Sequence, residues 1–196
     1  MTSSSSPSLE RGLDTMILVY SLLQGHPASL ACEQFVRSQA GWFTSPLVLF
    51  ETKNILTKVY GVDAAAATRK LLQFGTGPVV LLDLDALGAT SAFQLADTHG
   101  LDLTDAHLLH LAQRYHASFL ATEDQHLAQM CSQAGVTPQS PLDAAVRQQV
   151  AAWESANLAF KGVPRILRRV HQWLGQAHLQ AARDFWSQTG GGSHLP

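Results

Sequence analysis

Apolar residues recur along this chain in two rhythms. The stretches PASLACEQFVRSQAG, PLVLFETKNILTKVY, DAAAATRKLLQFG, DALGATSAFQLADTHG, TDAHLLHLAQRYHA and DQHLAQMCSQAG repeat at three and four residues and predict helices. The short runs WFTS, VVLLDL and SFLAT predict strands between them, VVLLDL as a fully apolar one. Ser45 and Pro46 supply an N-cap and a first-turn proline for the PLVLFETKNILTKVY helix, Gly61 stops it, and Gly100 closes DALGATSAFQLADTHG. Strands interleaved with helices of this length predict an α/β domain on a largely parallel sheet.

A composition shift at TPQSP, residues 137–141, reads as a joint. Beyond it, LDAAVRQQVAAWESANLAF and PRILRRVHQWLGQAHLQAARDFW predict two further helices. The second is amphipathic: Ile166, Leu167, Val170, Trp173, Leu174, Ala177 and Ala181 share one side, and Arg165, Arg168, Arg169, Gln172, Gln176 and Arg183 the other. The resulting division is a disordered polar tail over 1–11, an α/β domain over 12–140, a helical extension over 141–188 and a flexible end over 189–196.

Several acids break these patterns. On the helix that carries LTDAHLLHLA, residues 103–112, Leu108, Leu109 and Ala112 form the apolar face and Asp105 projects into its middle; His107, His110 and Arg114 fall on the opposite side, where solvent is expected. Glu51 likewise lies near the centre of a face formed by Leu47, Val48, Ile55 and Val59. Asp124 follows the apolar FLAT, and Asp14 sits in LDTMILVY, where an extended stretch gives way to an apolar run. Ligands of open parallel sheets bind outside the carboxyl ends of the strands, where Asp14 and Asp124 fall. Taken singly, Asp124 reads as a cap for QHLAQMCSQAG, Thr104 or Asp105 as a cap for its own helix, and Asp14 as a turn residue. Glu51, well inside its helix, has no such local reading. Two carboxylates about 4 Å apart repel by about 4 kcal/mol at an effective dielectric near 20, so a cluster of these acids needs a partner. Lys53 points away from Glu51 on the helix wheel. A hard divalent cation answers the repulsion, and Mg²⁺ in particular keeps several waters while taking one or two carboxylates. The cluster has no Cys and no His positioned inward, which argues against zinc.

Residues 1–140 carry 7 Lys+Arg against 12 Asp+Glu, and residues 141–196 carry 6 against 3. An acidic body with a basic end follows. The Arg face at 165, 168 and 169 could track nucleic-acid phosphates, while its apolar face packs on the body, a second copy or a partner. The two cysteines, Cys32 and Cys131, have no metal spacing and read as reduced buried thiols. No apolar run has the length of a membrane span, and the N-terminal MTSSSSPSLERG lacks an apolar signal core, so a cytoplasmic protein away from membranes is expected.

Four fragments now resemble one family. LDTMILVY is similar to the opening Asp-Thr segment of PIN domains, FTSPLVLFETKNIL to their second helix with its inward Glu, HGLDLTDAHLLHLA to their Asp-Ala helix, and FLATEDQHLAQ to their Thr-x-Asp strand end. The likeness spans Leu13 to Val136, in the family's order. It implies a parallel-sheet α/β/α sandwich to which the C-terminal helices are an addition. It further implies that Asp14, Glu51, Asp105 and Asp124 are catalytic and hold Mg²⁺ or Mn²⁺, with Thr122 orienting their surroundings. The implied reaction is hydrolysis of an RNA phosphodiester by metal-activated water. Many small members are toxins of toxin–antitoxin pairs, so the resemblance also implies an antitoxin-type protein partner and a homodimer. The residues themselves leave RNA and DNA both open, because a metal site reads phosphate rather than sugar. Met16 stands where the family usually has a small polar residue, and SLERG offers one apolar residue where a strand would carry several. These departures favour the alternative, a non-catalytic PIN-like protein- or RNA-binding module.

Overall fold

The computed structural model describes residues 9–75, 77, 79–158, 173–175 and 178–188. They fall into two compact units, Met1–Gln149 and Val150–Pro196. The first holds strands β1 (Arg11–Leu13), β2 (Trp42–Thr44), β3 (Val80–Leu81), β4 (Phe119–Ala121) and β5 (Thr137–Gln139). Its helices are α1 (Thr15–Leu22), α2 (Ser29–Arg37), α3 (Pro46–Lys58), α4 (Ala64–Gly75), α5 (Ala86–His99), α6 (Leu103–Arg114) and α7 (Gln125–Gln133). Helix α8 (Ala144–Asn157) begins there and continues into the second unit, which also holds α9 (Leu179–Gln188). No described helix is long and apolar enough to cross a membrane.

The strands form one sheet in the order β3-β2-β1-β4-β5, every pair parallel. Its direction of winding reverses between β1 and β4, so the crevice at their carboxyl ends is the topological switch point of the fold. Leu13, Phe43 and Leu120 from the three central strands, with Leu18, Val48, Leu108 and Leu127 from the helices, are fully buried in the core.

The central strand β1 forms from the weak segment ERGL. Gly12 has no side chain to bury, but a Cβ there would lie 3.2 Å from Leu120 Cγ and 3.3 Å from Phe43 Cζ. The neighbouring strands therefore close over it and supply the apolar contacts that the segment lacks. Arg11 stays tolerable because its guanidinium lies 4.4 Å from the Phe119 ring centroid and its Nη1 donates to Gln139 Oε1 at 3.0 Å.

Other expectations need correction. The TPQSP joint is strand β5, paired with β4 alone. Pro138 lacks an N–H, which an edge strand accepts because one side of its ladder is unpaired. VVLLDL yields only Val80 and Leu81, also at a sheet edge, where Leu81 stays exposed. On α3 the buried stripe is Val48, Thr52 and Leu56 rather than the expected face: Val59 is exposed, and Glu51 sits half-buried at the margin. Nor do His107 and His110 face solvent. Helix α5 lies over that side of α6, with Gly88 and Ala92 buried in its length, and His107 is fully buried. A Cβ on Gly88 would stand 3.3 Å from His107 Nε2, so the glycine is what lets the imidazole fit.

The second unit buries Val150, Glu154 and Ala182. Trp173 and Ala181, expected on the apolar side of one continuous helix, are exposed, and His178 is not helical, so α9 starts afresh at Leu179. Gly175, a poor helix former, lies just before that interruption. Arg165, Arg168 and Arg169 lie outside the described residues, as do the expected end 189–196 and residues 1–8 of the expected tail 1–11, whose last residue, Arg11, instead begins β1.

Candidate active site at the ends of two central strands

Strands β1 and β4 pair in register through Leu13 and Ala121, so the next residues, Asp14 and Thr122, emerge side by side at the switch point. Asp14 N–H donates to Ala121 O at 3.1 Å, extending the ladder one step beyond the strand. The Asp14 side chain is 3 % exposed and caps α1. Its Oδ1 accepts from Thr15 N–H at 2.5 Å and its Oδ2 from the Thr122 hydroxyl at 2.7 Å.

Two threonines join Asp14 to other acids. The Thr15 hydroxyl donates to Glu51 Oε2 at 2.8 Å, crossing from α1 to α3. Thr122 Oγ1, while donating to Asp14, accepts from Asp124 N–H at 2.9 Å. Asp124 caps α7, its Oδ1 accepting from Leu127 N–H at 2.8 Å. Capping and clustering, alternatives in the sequence, are thus both true of Asp14 and of Asp124. Asp105 lies in the first turn of α6 and is not its cap. That place belongs to the exposed Asp102, whose Oδ1 accepts from Asp105 N–H at 3.4 Å.

Electrostatics shows that these groups share one site. Burial, with smaller contributions from the charges of Glu51 and Asp124, pushes the Asp14 carboxyl up to about 7 against the pull of its Thr122 and Thr15 bonds. Asp105 is pushed up to about 8, first by burial and then by the charges of Asp14, Asp102, Asp124 and Glu51. No Lys or Arg among the described residues is a leading cause of either shift. Near neutral pH the cluster therefore keeps protons that a bound cation would displace.

The donor set suits a hard ion: it consists of carboxylate oxygens, with hydroxyls already engaged in holding them. The thiols of Cys32 and Cys131 are buried and pushed up to about 12, so they stay protonated and offer no soft ligand. Among the described residues, no three His, Cys, Asp or Glu side chains form a ready metal cage. Coordination shared between carboxylates and retained waters, as Mg²⁺ favours, fits such an open set.

The structure therefore brings together Asp14, Glu51, Asp105, Asp124 and Thr122, the five candidates carried by the body. It adds Thr15, which pattern reading passed over because a side chain-to-side chain hydrogen bond leaves no periodic trace; its only signal was adjacency to Asp14. Glu123 turns elsewhere, to Ser140 and Arg147.

The PIN-domain profile matches residues 13–132, more than half of the chain and all of these acids. Among solved structures, VapC20 of Mycobacterium tuberculosis, a toxin that cleaves the sarcin–ricin loop, matches with a TM-score of 0.55 and 17 % identity over 62 % of this chain and 95 % of its own. PAE2754 of Pyrobaculum aerophilum matches with a TM-score of 0.51 and 20 % identity over 74 % and 97 % respectively. At these identities the two likenesses speak for the fold alone. No curated protein matches the chain significantly. By the profile match, the strand order and the place of its acids, the chain belongs to the PIN-domain family.

Proposed function

We propose that this protein is a Mg²⁺- or Mn²⁺-dependent endoribonuclease, acting in the cytoplasm as the toxin of a toxin–antitoxin pair. The observation that carries the reading is the coupling of Asp14, Glu51, Asp105 and Asp124 at one switch-point crevice, where the main influences on Asp14 and Asp105 among the described residues include no Lys or Arg. The family and the toxin described for VapC20 support the same direction. An antitoxin-type protein and a second copy of the chain are the partners proposed with it.

Asp14, Glu51, Asp105 and Asp124 would hold the ion. When bound, it would polarise the phosphate and supply a nucleophilic water at neutral pH. The protein's share is positioning. Thr122 and Thr15 N–H occupy one lone pair on each Asp14 oxygen and fix the plane of that carboxylate. Thr15 holds Glu51 by Oε2, so that Glu51 would offer the ion its other oxygen. Asp124, exposed at the mouth, keeps Oδ1 on the α7 N-terminus and leaves Oδ2 to accept from water. Asp14 and Asp105, raised to about 7 and 8, would have to give up their protons to hold the ion.

The test is cleavage of RNA by wild type and Asp105→Asn with Mn²⁺ and with EDTA. The reading expects cleavage by wild type with Mn²⁺ only, and none by the variant; chelator-resistant cleavage unchanged in the variant rejects it. Met16 favours a second reading, a non-catalytic binding module, because a thioether cannot tune carboxylates or waters as a hydroxyl or amide would. Calorimetry with Mn²⁺ separates the two, since a site that no longer turns over should bind the ion feebly.

A further inference from the structure

Ser140 and Arg147 lie beyond the family-matched segment, just after β5 and in the opening turns of α8. Both engage Glu123, the residue between Thr122 and Asp124. The Ser140 hydroxyl donates to Glu123 Oε1, and Arg147 Nε donates to Glu123 Oε2 at 3.1 Å. Arg147 Nη2 also donates to Ser140 Oγ at 2.8 Å, and Leu142 N–H donates to the same oxygen at 3.0 Å. The Glu123 side chain is only 13 % exposed, against 53 % for Arg147, so the carboxylate is the inner member of the pair. Both of its oxygens are taken and its charge is answered.

This pinning has a consequence one residue away on either side. Thr122 donates to Asp14 while its oxygen accepts from Asp124 N–H, so turning the backbone at Glu123 would disturb both bonds. Without Arg147, Glu123 would also add an unanswered negative charge beside a cluster already short of cations. We propose that Arg147 is a positioning residue: acting through Glu123 and Ser140, it holds the 122–124 loop so that Thr122 and Asp124 meet Asp14, and thereby ties the segment after β5 to the candidate metal site. The use served rests on the nuclease reading; the brace itself does not.

The full chain carrying Arg147→Met is compared with wild type by amide hydrogen exchange without metal and by Mn²⁺ titration followed by electron paramagnetic resonance. The brace expects Asp124 and Leu127 N–H to exchange about 10-fold faster while the β1 and β2 amides keep their protection, and Mn²⁺ affinity to fall by about 10-fold. Arg147→Lys, which keeps the charge but loses the fork, should recover part of both, and it carries the comparison if the Met variant fails to fold. Unchanged exchange at Asp124 and Leu127, or an increase spread evenly over the whole chain, overturns the proposal. Local loosening in a protein that binds no Mn²⁺ even as wild type would keep the brace and remove the nuclease reading.

Discussion

Asp14 titrates near 7 although two donors hold it, which means that burial outweighs both hydrogen bonds. With its folded-state value raised, the native protein keeps a proton that the unfolded chain loses near pH 4. The same holds for Asp105 up to about 8. Across that window the native state binds more protons than the unfolded one, so these groups make metal-free stability fall as pH rises. Asp105→Asn removes the charge that burial penalises. It should raise the Tm of the metal-free protein at pH 8 by about 2–6 °C, raise it less at pH 5, and abolish Mn²⁺-dependent cleavage. Calorimetric melts at the two pH values check the sign; a lower Tm at pH 8 would show that the Asp105 carboxylate stabilises its surroundings. Thr15 calls for a different substitution. Thr15→Val keeps the shape and removes the donor to Glu51, so Mn²⁺ affinity should fall about 10-fold with little change in Tm, and Thr15→Ser should restore it. Titration calorimetry reads both.

Helix α6 is covered on two sides, by the sheet and by α5, and the two differ in how legible they were. Its sheet face followed the apolar period, and an acid inside that face was conspicuous because it broke the period. The same logic exposed Glu51, whereas Asp14 and Asp124 were legible from their places at the carboxyl ends of strands. The other face carries His107 and His110, which a polar–apolar count assigns to water; nothing local shows that Gly88 on a distant helix makes room for an imidazole. Strand β1 was obscure for a related reason, since Phe43 and Leu120 supply the contacts that Gly12 lacks. Strand β5 was hidden by Pro138, a turn residue to pattern reading but a permissible one at a sheet edge. The covered histidine face has an energetic consequence. Both His107 ring nitrogens are buried without a hydrogen-bond partner among the described residues, and burial holds its pKa below the usual value, with the neighbouring His110 adding to the effect. The unfolded chain therefore takes up a proton near pH 6.5 that the native state refuses, and stability falls as pH drops below that value. An unmet buried polar group costs about 1–3 kcal/mol. His107→Leu should accordingly raise Tm by about 2–4 °C at pH 7 and flatten the loss on the acid side, as melts between pH 5 and 7 would show. A fall in Tm would mean that the ring's packing against α5 outweighs its lost hydrogen bonds.

Over the whole molecule, charge is divided so that the part bearing the acids proposed as catalytic repels the proposed substrate. Residues 1–140 carry 12 acids against 7 bases, and residues 141–196 carry 3 against 6. A bound cation would answer the acids locally, but a polyanion extends well beyond one phosphate and meets the rest of the acidic body. Attraction over that range has to come from elsewhere along the chain, and Arg165, Arg168 and Arg169 are its densest group of bases. Binding by phosphate neutralisation is recognised by its dependence on salt: for single strands, log K falls against log [salt] with a slope of about −0.7 per neutralised phosphate. Changing all three arginines to glutamine in the Asp105→Asn background should therefore make the slope shallower by about 2, if each contacts one phosphate. Fluorescence anisotropy with a single-stranded RNA across a salt series measures this directly. In an otherwise wild-type chain the same three changes should raise KM and leave kcat at saturating RNA nearly unchanged, as expected of residues that serve substrate capture alone. A slope that does not move would assign the basic stretch to a protein partner and leave the acidic body to capture RNA through its metal alone.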